Sequence, residues 1–317
     1  MTPAQACTCA WALARLHVAP LPPSIPHQLQ QDSLPALHTY RAADVCRLLF
    51  FYATQRARPG AAWWTALWCA HTRSLPGCSA QDLVMWLWSC TELSVDPDPA
   101  WMDAFWARAA ELLPSCTPRH LLLLLASASR RVGLGFQPPR APWLPAALAR
   151  LDATLPHLLA GGQSLRVAQV LSGLHPVVPP AQMDGLMTSW YLGSTPHLHR
   201  LGPPQLEQLL RAAATVEKVR GGYVDTAWTA EWLSHMGRRL RQMEVRELPA
   251  VLTTLIQCRV RPGRQWLTGY LHEVAGRLDA GCLGMDLQGF TDIASALARM
   301  DPELRDLWMQ NVVVEYT

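Results

Sequence analysis

The chain has 317 residues, half of them hydrophobic, with 26 Arg, a single Lys and a formal net charge of +3 at pH 7. Its longest strongly apolar run, Leu121 to Ala128, is far shorter than the roughly 20 residues that a membrane-spanning helix needs, so no membrane partner is expected. A net charge of +3 is too small to identify a polyanionic partner by itself, because binding depends on where the basic residues cluster.

An apolar stripe with helical spacing recurs eight times along the chain, at intervals typical of helical-repeat proteins. Each copy begins at an anchor residue and continues with small or apolar residues three, four and seven positions later. Residues with this spacing lie on one face of a helix, so each copy predicts an amphipathic helix. The anchors, in chain order, are Ala6, Val45, Leu83, Leu121, Val167, Leu206, Leu248 and Phe290.

A second helix is predicted after each stripe. Turns rich in Pro and Gly, such as Arg58-Pro59-Gly60, end the first helix and precede the second. A tryptophan follows the anchor at one fixed separation in three repeats, and four positions later than that in two others. We expect these indole rings to lock the two helices of each repeat together. The tryptophans are Trp63, Trp101 and Trp266, with Trp143 and Trp228 after four-residue insertions.

The repeats predict an all-α fold, a right-handed α-solenoid of about eight antiparallel helical hairpins of about 38–46 residues each. Because each hairpin buries its apolar face only against its neighbours, residues 1–317 are expected to form a single domain. A longer loop is predicted at residues 130–140, inside the longest interval, which separates Leu121 from Val167. The approximate repeats are residues 3–40, 41–78, 79–116, 117–163, 164–202, 203–244, 245–285 and, as a partial copy, 286–317.

No catalytic or metal-binding constellation can be assigned from the residue pattern. The nine cysteines include no CxxC pair and no histidine at zinc-ligand spacing, which favours a reducing compartment. His197 and His199 form an HxH pair without a further ligand nearby, so an ordinary loop is favoured over a metal site. Phosphate-binding loops, nucleophile elbows and metalloprotease motifs are absent from the sequence. We therefore expect no enzymatic activity, no cofactor, no metal ion and no small-molecule substrate.

These features resemble octotricopeptide repeats, which are characteristic of green-algal organelle proteins that bind RNA. The resemblance rests on the repeat interval, the paired helices, the segment from Trp11 to Leu16 and the Pro-rich turn followed by tryptophan. It covers nearly the whole chain, is strongest at residues 41–116, and is weak at residues 167–202 and after residue 285. It implies RNA binding along the inner face of a superhelix by polar side chains on the first helix of each repeat. The C-terminal RAP domain that the family often carries is not recognisable.

The residue just before each anchor is a candidate for reading bases. Varied polar types at one structural position are what a protein that reads one base per repeat would use. The alternative is local, because this position lies in the first helical turn, where an acid such as Asp82 or Glu247 serves the cap and the helix dipole. The sequence favours the capping interpretation. The residues are Gln5, Asp44, Asp82, His120, Arg166, Gln205, Glu247 and Gly289.

Two arginine clusters are the stronger candidates for RNA contact. The first has seven arginines between positions 238 and 264, a stretch that contains only two acids, and the second decorates the predicted long loop. Guanidinium groups suit phosphate oxygens, and we expect adjacent repeats to bring the first cluster together as one basic patch. The alternative for both is an ordinary solvated surface. The first cluster is Arg238, Arg239, Arg241, Arg246, Arg259, Arg261 and Arg264, and the second is Arg130, Arg131 and Arg140.

The sequence and the resemblance together predict an RNA-binding helical-repeat protein that is a structural component of an organellar ribosome. The longer intervals, from Leu121 to Val167 and between successive anchors after Leu206, break the register that a base-by-base reader needs. This favours binding of rRNA through phosphate and shape contacts. One alternative is a factor for the stability, processing or translation of one organelle transcript, and another is a protein-binding scaffold without RNA contact.

The resemblance and the composition also bear on partners and location. Neither end of the chain reads as a polar capping repeat, so we expect neighbouring proteins at the uncapped solenoid ends. The mitochondrial matrix is favoured over the chloroplast stroma, although no targeting segment is evident.

Overall fold

The computed structural model describes residues 3–16, 21–136, 143–279 and 285–310, and these ranges form 16 α-helices and no strand. The prediction of an all-α fold is therefore confirmed. No helix in the described ranges is both long and apolar enough to cross a bilayer. The first eight helices are α1 (Pro3–Arg15), α2 (Ser24–Ser33), α3 (Ala42–Gln55), α4 (Ala61–His71), α5 (Ala80–Glu92), α6 (Pro99–Leu112), α7 (Pro118–Gly133) and α8 (Trp143–Ala160). The other eight are α9 (Ser164–Leu174), α10 (Pro180–Ser194), α11 (Pro203–Arg220), α12 (Thr226–Arg239), α13 (Leu248–Gln257), α14 (Arg264–Asp279), α15 (Leu287–Met300) and α16 (Pro302–Trp308).

Contacts within the chain divide it into two compact units. Unit 1 comprises Met1–Thr154 with Pro176–Val178, and unit 2 comprises Leu155–His175 with Pro179–Thr317. The division falls inside α8, so α1 to α7 belong to unit 1 and α9 to α16 belong to unit 2. A single continuous domain over residues 1–317 stays a prediction.

Every predicted anchor lies in an odd-numbered helix. The six anchors from Val45 to Leu248 are all 0% exposed, whereas Ala6 in α1 and Phe290 in α15 are half-buried. In unit 1, α1, α3, α5 and α7 pack successively against one another; in unit 2, α9 packs on α11, α11 on α13, and α13 on α15. Burial of each Val or Leu anchor contributes about 1.5–3 kcal/mol, so the repeated stripe is the main apolar interface of the odd-numbered helices.

The even-numbered helices contact one another largely through the short 3₁₀ helices that follow them. In unit 1, α4 contacts Leu34–Thr39, which follows α2, and α6 contacts Thr72–Gly77, which follows α4. In unit 2, α12 contacts Thr195–Arg200, which follows α10, and α14 contacts Leu240–Gln242, which follows α12. Each unit thus has a row of odd-numbered helices and a row of even-numbered helices.

Some of the predicted tryptophans link neighbouring repeats by an indole hydrogen bond, whereas the indole N–H groups of Trp101 and Trp143 have no hydrogen-bond partner among the described residues. The ring of Trp63 in α4 lies 5.5 Å from that of Tyr52 in α3, which is the expected contact within a repeat. Its indole N–H, however, donates to Ser33 Oγ of α2 at 3.0 Å. Unit 2 repeats this bond, because Trp228 in α12 donates to Ser194 Oγ of α10 at 3.0 Å. The sequence prediction was therefore incomplete, since the indole nitrogen binds the preceding even-numbered helix.

Trp266 makes the same type of link between α14 and α12. Its indole N–H donates to the backbone carbonyl of Leu233 at 2.8 Å. A Cβ atom added at Gly237 would lie 3.1 Å from the indole nitrogen, which is closer than ordinary van der Waals contact. The glycine therefore allows the indole ring to lie directly against the backbone of α12.

Several odd-numbered helices end in a left-handed residue. In α3 the chain turns at Arg56 (φ 51°), in α13 at Arg259 (φ 56°), and in α11 at Gly221 (φ 72°). The next residue then donates its N–H back to a carbonyl five residues earlier, as Val260 does to Leu255 at 2.8 Å. This closes the helix end and points the following turn away from the helix axis. Glycine is the usual residue there, so an arginine at 56 or 259 is not required by the turn.

Candidate nucleic-acid interface

The seven arginines of the first predicted cluster form two groups rather than one patch. Arg238, Arg239, Arg241 and Arg246 precede α13, whereas Arg259, Arg261 and Arg264 follow it. The ten residues of α13 span about 15 Å at the rise of an α-helix, so the helix keeps the two groups at its opposite ends. Closeness in sequence therefore did not predict closeness in space.

The four arginines before α13 all have partners within unit 2. Ion pairs between exposed groups contribute about 0–1 kcal/mol, so Arg241 and Arg246 could exchange their carboxylates for phosphates at small cost. Arg239 is half-buried and committed to backbone carbonyls. The partners are Ser234 Oγ for Arg238 (2.8 Å), the carbonyls of His199 and His235 for Arg239, Glu273 for Arg241 (3.2 Å) and Glu244 for Arg246 (2.6 Å).

The bond from Arg239 to the carbonyl of His199 belongs to a recurring structural use of arginine. In four places among the described residues, an arginine of one even-numbered helix, or of the 3₁₀ helix after it, donates to a carbonyl in or just after the preceding even-numbered helix or the 3₁₀ helix that follows it. These bonds join successive repeats. Part of the arginine content is thus structural. The pairs are Arg108 with Cys78, Arg200 with Ala160, Arg239 with His199, and Arg277 with Leu240 and Met243.

Arg259 and Arg261 line a cleft of about 610 Å³ in unit 2. Arg299, in the last turn of α15, and Tyr223, just after α11, line it too. The cleft lies where the C-terminal ends of α11, α13 and α15 meet, and Tyr223 is 71% exposed. None of the three arginines forms an ion pair with any residue that the structure describes. We call these four residues the arginine cleft.

The helix ends explain only part of the charge in the arginine cleft. A helix C-terminus carries roughly half a negative charge, so three of them favour about one and a half positive charges nearby. Three guanidinium groups exceed that, and no acidic residue is among the described residues that line the cleft. Arg264, by contrast, does not line it and is paired with Glu303 at 2.9 Å and Asp301 at 3.7 Å. The cleft therefore has an excess of positive charge.

Arg299 and Tyr223 were not among the sequence candidates. Arg299 is the ninth residue after its anchor Phe290, and Arg259 is the eleventh after its anchor Leu248. Both therefore lie at the C-terminal end of their stripe. Counting residues from each anchor would have identified Arg259 and Arg299 as related positions. Tyr223 gives no such signal, because α11 is longer than α13 and ends later relative to its anchor.

Arg131 of the second cluster is an internal residue of unit 1. It is 3% exposed, and its guanidinium donates to the Val95 carbonyl at 3.0 Å and to Asp96 at 2.7 Å. The same guanidinium lies 4.3 Å from the ring centroid of Phe136. Since these contacts occupy the charged group, Arg131 is not available to an external phosphate, and we remove it from the RNA contacts.

The other two arginines of the second cluster differ from Arg131. Arg130 is exposed and forms an ion pair with Glu92. Arg140 lies outside the described residues. The predicted loop begins later than expected, because α7 continues to Gly133 and includes Arg130 and Arg131. Of this cluster, only Arg130 is placed on the surface by the described part of the chain.

An aromatic row on the odd-numbered helices of unit 1 was missed by the sequence prediction. Trp11, Phe50 and Trp88 each follow their anchor by five residues, in α1, α3 and α5. Trp11 is 37% exposed, with the Arg15 guanidinium 5.5 Å from its ring centroid. Phe50 and Trp88 are half-buried, and their ring centroids are 5.3 Å apart. The sequence prediction missed the row because these apolar residues lie next to the apolar stripe and were not distinguished from it.

The position just before the anchor completes a capping interaction in three of the eight repeats. Asp82 accepts from the N–H of Ser79 at 2.9 Å and completes a capping box. Gln205 and Glu247 accept in the same way from residues 202 and 244, both at 3.0 Å. Their side chains are thus occupied by the first helical turn, as the capping interpretation expects.

Burial makes six of the cysteines poor nucleophiles. It raises the pKa of Cys7 and Cys90 to about 12, and that of Cys78 and Cys258 to about 11. The pKa values of Cys46 and Cys116 are raised for the same reason. A thiol with such a pKa stays protonated at neutral pH. Among the residues with described positions, no group of His, Cys, Asp and Glu has an arrangement that could hold a metal ion.

Comparison of the chain with models of known protein families gave no match, and neither did comparison with curated proteins. The similarity to octotricopeptide repeats therefore rests on the repeat pattern of the sequence.

Proposed function

We propose that the protein binds RNA, and that its helices form a right-handed α-solenoid of about eight octotricopeptide-like hairpins. The observation that carries this proposal is the arginine cleft. Three guanidinium groups without ion-pair partners in the described chain offer bidentate donors to phosphate oxygens, and the exposed ring of Tyr223 offers a face to a base. An excess of positive charge beside an aromatic ring is typical of nucleic-acid sites.

The aromatic row supports the same function in unit 1. Stacking of a base on an aromatic side chain contributes about 1–3 kcal/mol and does not depend on which base is present. Because the rings of Phe50 and Trp88 are already in contact, a base would lie against their exposed edges or faces rather than insert between them. Trp11 with Arg15 adds a stacking surface and a cation. The family resemblance implies polar readers on these helices, and here aromatic side chains supply sequence-tolerant contacts.

We propose further that the RNA is ribosomal and that the protein is a structural component of an organellar ribosome, mitochondrial in preference to chloroplast. Capping occupies Asp82, Gln205 and Glu247, three of the eight candidate base-reading residues. Phosphate and stacking contacts suit an RNA whose position is fixed by a large assembly. Neighbouring proteins at the ends of the solenoid are part of the same proposal.

The alternative of a separate transcript factor is favoured by the aromatic row, because stacking on side chains requires unstacked bases. A protein-binding scaffold without RNA contact is the second alternative. It gives no reason for three arginines around one cleft that lack an ion-pair partner among the described residues.

Sedimentation of organelle extract, with and without ribonuclease, separates these functions. Comigration with a ribosomal subunit and crosslinks to rRNA is the result that we expect. A smaller particle that is sensitive to ribonuclease and contains one messenger would support the transcript factor instead. A particle that ribonuclease does not alter, with no crosslinked RNA, would overturn the RNA-binding proposal in favour of the scaffold.

A further inference from the structure

The charges around the arginine cleft match a phosphate with more than one negative charge. A phosphodiester inside an RNA strand carries one negative charge, whereas a phosphomonoester carries about −1.5 to −2 at pH 7 and has three strong acceptor oxygens. Arg259, Arg261 and Arg299 are all exposed, and each offers a planar fork of donors. Their three positive charges exceed the single negative charge of one diester and are better matched by a terminal phosphate.

Carboxylates are present close to the arginine cleft but do not neutralise it. Asp301 directly follows α15 and pairs with Arg264, as does Glu303. Neither acid is among the residues that line the cleft. The three arginines thus have no ion-pair partner within the described chain, although this part of unit 2 contains acids.

The size and lining of the cleft fit one nucleotide. Its volume of about 610 Å³ falls in the usual range of about 300–1,000 Å³ for pockets that enclose one small organic molecule. Ile256, Val260 and Met300 provide an apolar lining, and Tyr223 is the one aromatic ring among the lining residues that the structure describes. A single ring serves a single base, so a duplex or a long single strand is not what this cleft encloses.

We infer that the arginine cleft binds the phosphomonoester end of an RNA strand, with the terminal phosphate on Arg259, Arg261 and Arg299 and the terminal base against Tyr223. This inference rests on the proposed RNA-binding function and adds to it a preference for strand ends. A free nucleoside monophosphate presents the same phosphate and base as the end of an RNA strand. We assign the cleft to the RNA end.

The test compares four RNAs of one sequence: with a 5′-phosphate, with a 3′-phosphate, with hydroxyls at both ends, and ligated into a circle. Affinity for the full chain is measured by fluorescence anisotropy, with adenosine monophosphate and adenosine as competitors. We expect a phosphate at one of the two ends to raise affinity about tenfold over the hydroxyl-ended and circular RNAs, as one added charge-assisted bidentate contact would. Adenosine monophosphate should compete, and adenosine should not.

Two variants connect that preference to the cleft. Arg259→Gly removes one guanidinium while keeping the left-handed turn, because glycine is the usual residue there, and it should abolish most of the end preference. Arg56→Gly is the matched control: it removes the same charge from the equivalent left-handed turn of α3 in unit 1 and should leave the preference unchanged. A circular-dichroism spectrum for each variant verifies that the helices are retained.

The outcomes separate this inference from the function on which it rests. Equal affinity for all four RNAs would overturn the end preference and leave RNA binding intact. An end preference that survives Arg259→Gly would overturn the assignment to the cleft. Tighter binding of adenosine monophosphate than of any RNA would assign the cleft to a free nucleotide, against our choice of source. No binding of any RNA would remove the proposed function together with the inference.

Discussion

Arg130 and Arg131 are neighbours in α7 with opposite environments. Arg131 is buried and bound to Val95 and Asp96, whereas Arg130 is exposed and paired with Glu92. Loss of the Arg131 guanidinium leaves the Val95 carbonyl without a charged donor, so Arg131→Met should lower the free energy of unfolding by about 2–3 kcal/mol. Arg130→Met is the control and should cost about 0–1 kcal/mol. Urea unfolding monitored by circular dichroism measures both, and equal costs would contradict the internal role of Arg131.

His71 gives unit 1 a pH-dependent contribution to stability. It is 1% exposed, and one ring nitrogen lies 3.0 Å from the Leu37 carbonyl. Burial lowers the pKa of His71 from its ordinary value of 6.5, and the hydrogen bond to Leu37 opposes this only in part. The unfolded chain therefore takes up the proton first as the pH falls. The stability from neutral His71 is present above pH 6.5 and is lost as the pH falls toward the lowered pKa.

His71→Gln isolates this contribution, because an amide can still hydrogen-bond but does not titrate. We expect wild type to lose more unfolding free energy than the variant between about pH 7.5 and about pH 5. Other carboxylates and histidines titrate in both proteins and cancel in the difference. Identical pH dependence in urea unfolding would mean that His71 is not buried in its neutral form.

At the level of helices, the bond between an indole and a buried serine links successive even-numbered helices in both units. Ser194 is 0% exposed and accepts from Trp228 at 3.0 Å. Ser194→Ala would leave the indole N–H without this acceptor, so we expect a loss of about 1–3 kcal/mol in unfolding free energy. Adding Trp228→Phe tests the coupling, because the second change should cost less in the Ser194→Ala background than alone. Additive costs would show that the bond does not link α10 and α12. Ser115→Ala, at an exposed serine, serves as the surface control.

The aromatic row predicts where stacking occurs on the odd-numbered helices of unit 1. Trp88→Leu removes an aromatic face but keeps an apolar side chain against Phe50, so the helices should stay folded. We expect RNA affinity to fall by about tenfold, near the middle of the range for loss of one stacked base. Affinity for single-stranded RNA, measured by anisotropy, tests this. Leu123→Ala, at a half-buried non-aromatic position of α7, should leave affinity unchanged; equal losses would argue against stacking.

The order of the helices could be predicted from the sequence, because the repeated stripe is a local pattern that tertiary contacts reinforce. The six inner anchors are completely buried, and each marks an odd-numbered helix. The partners of the tryptophan indole groups could not be predicted, because Ser33 and Ser194 lie in a different repeat and serine gives no helical signal. The packing of helices from different repeats therefore determines these hydrogen-bond partners, which the local spacing of residues does not indicate.

At the scale of the whole molecule, the fold determines which arginines lie close together in space, and their closeness in the sequence does not. Seven arginines that are close together in the sequence are separated by α13, and two of them join Arg299 from another helix. Arg131 and Arg239 are used for internal contacts that the sequence does not distinguish from surface positions. Burial and partner geometry depend on which helix ends meet, and this is why the candidate site was predicted only in part.

The salt dependence of RNA binding is a direct test of which arginines contact phosphates. Each phosphate neutralised by an arginine adds roughly one to the slope of the logarithm of the affinity against the logarithm of the salt concentration. Wild type and the Arg261→Gln, Arg299→Gln double variant would be titrated with one RNA over a series of salt concentrations. Arg56→Gln, at an exposed arginine of unit 1 outside the cleft, would serve as the control. We predict that wild type binds and that the double variant binds more weakly, with a slope smaller by about one to two, while the control changes little. Absence of binding by the wild type, or the same slope in wild type and the double variant, would contradict RNA recognition through the arginine cleft.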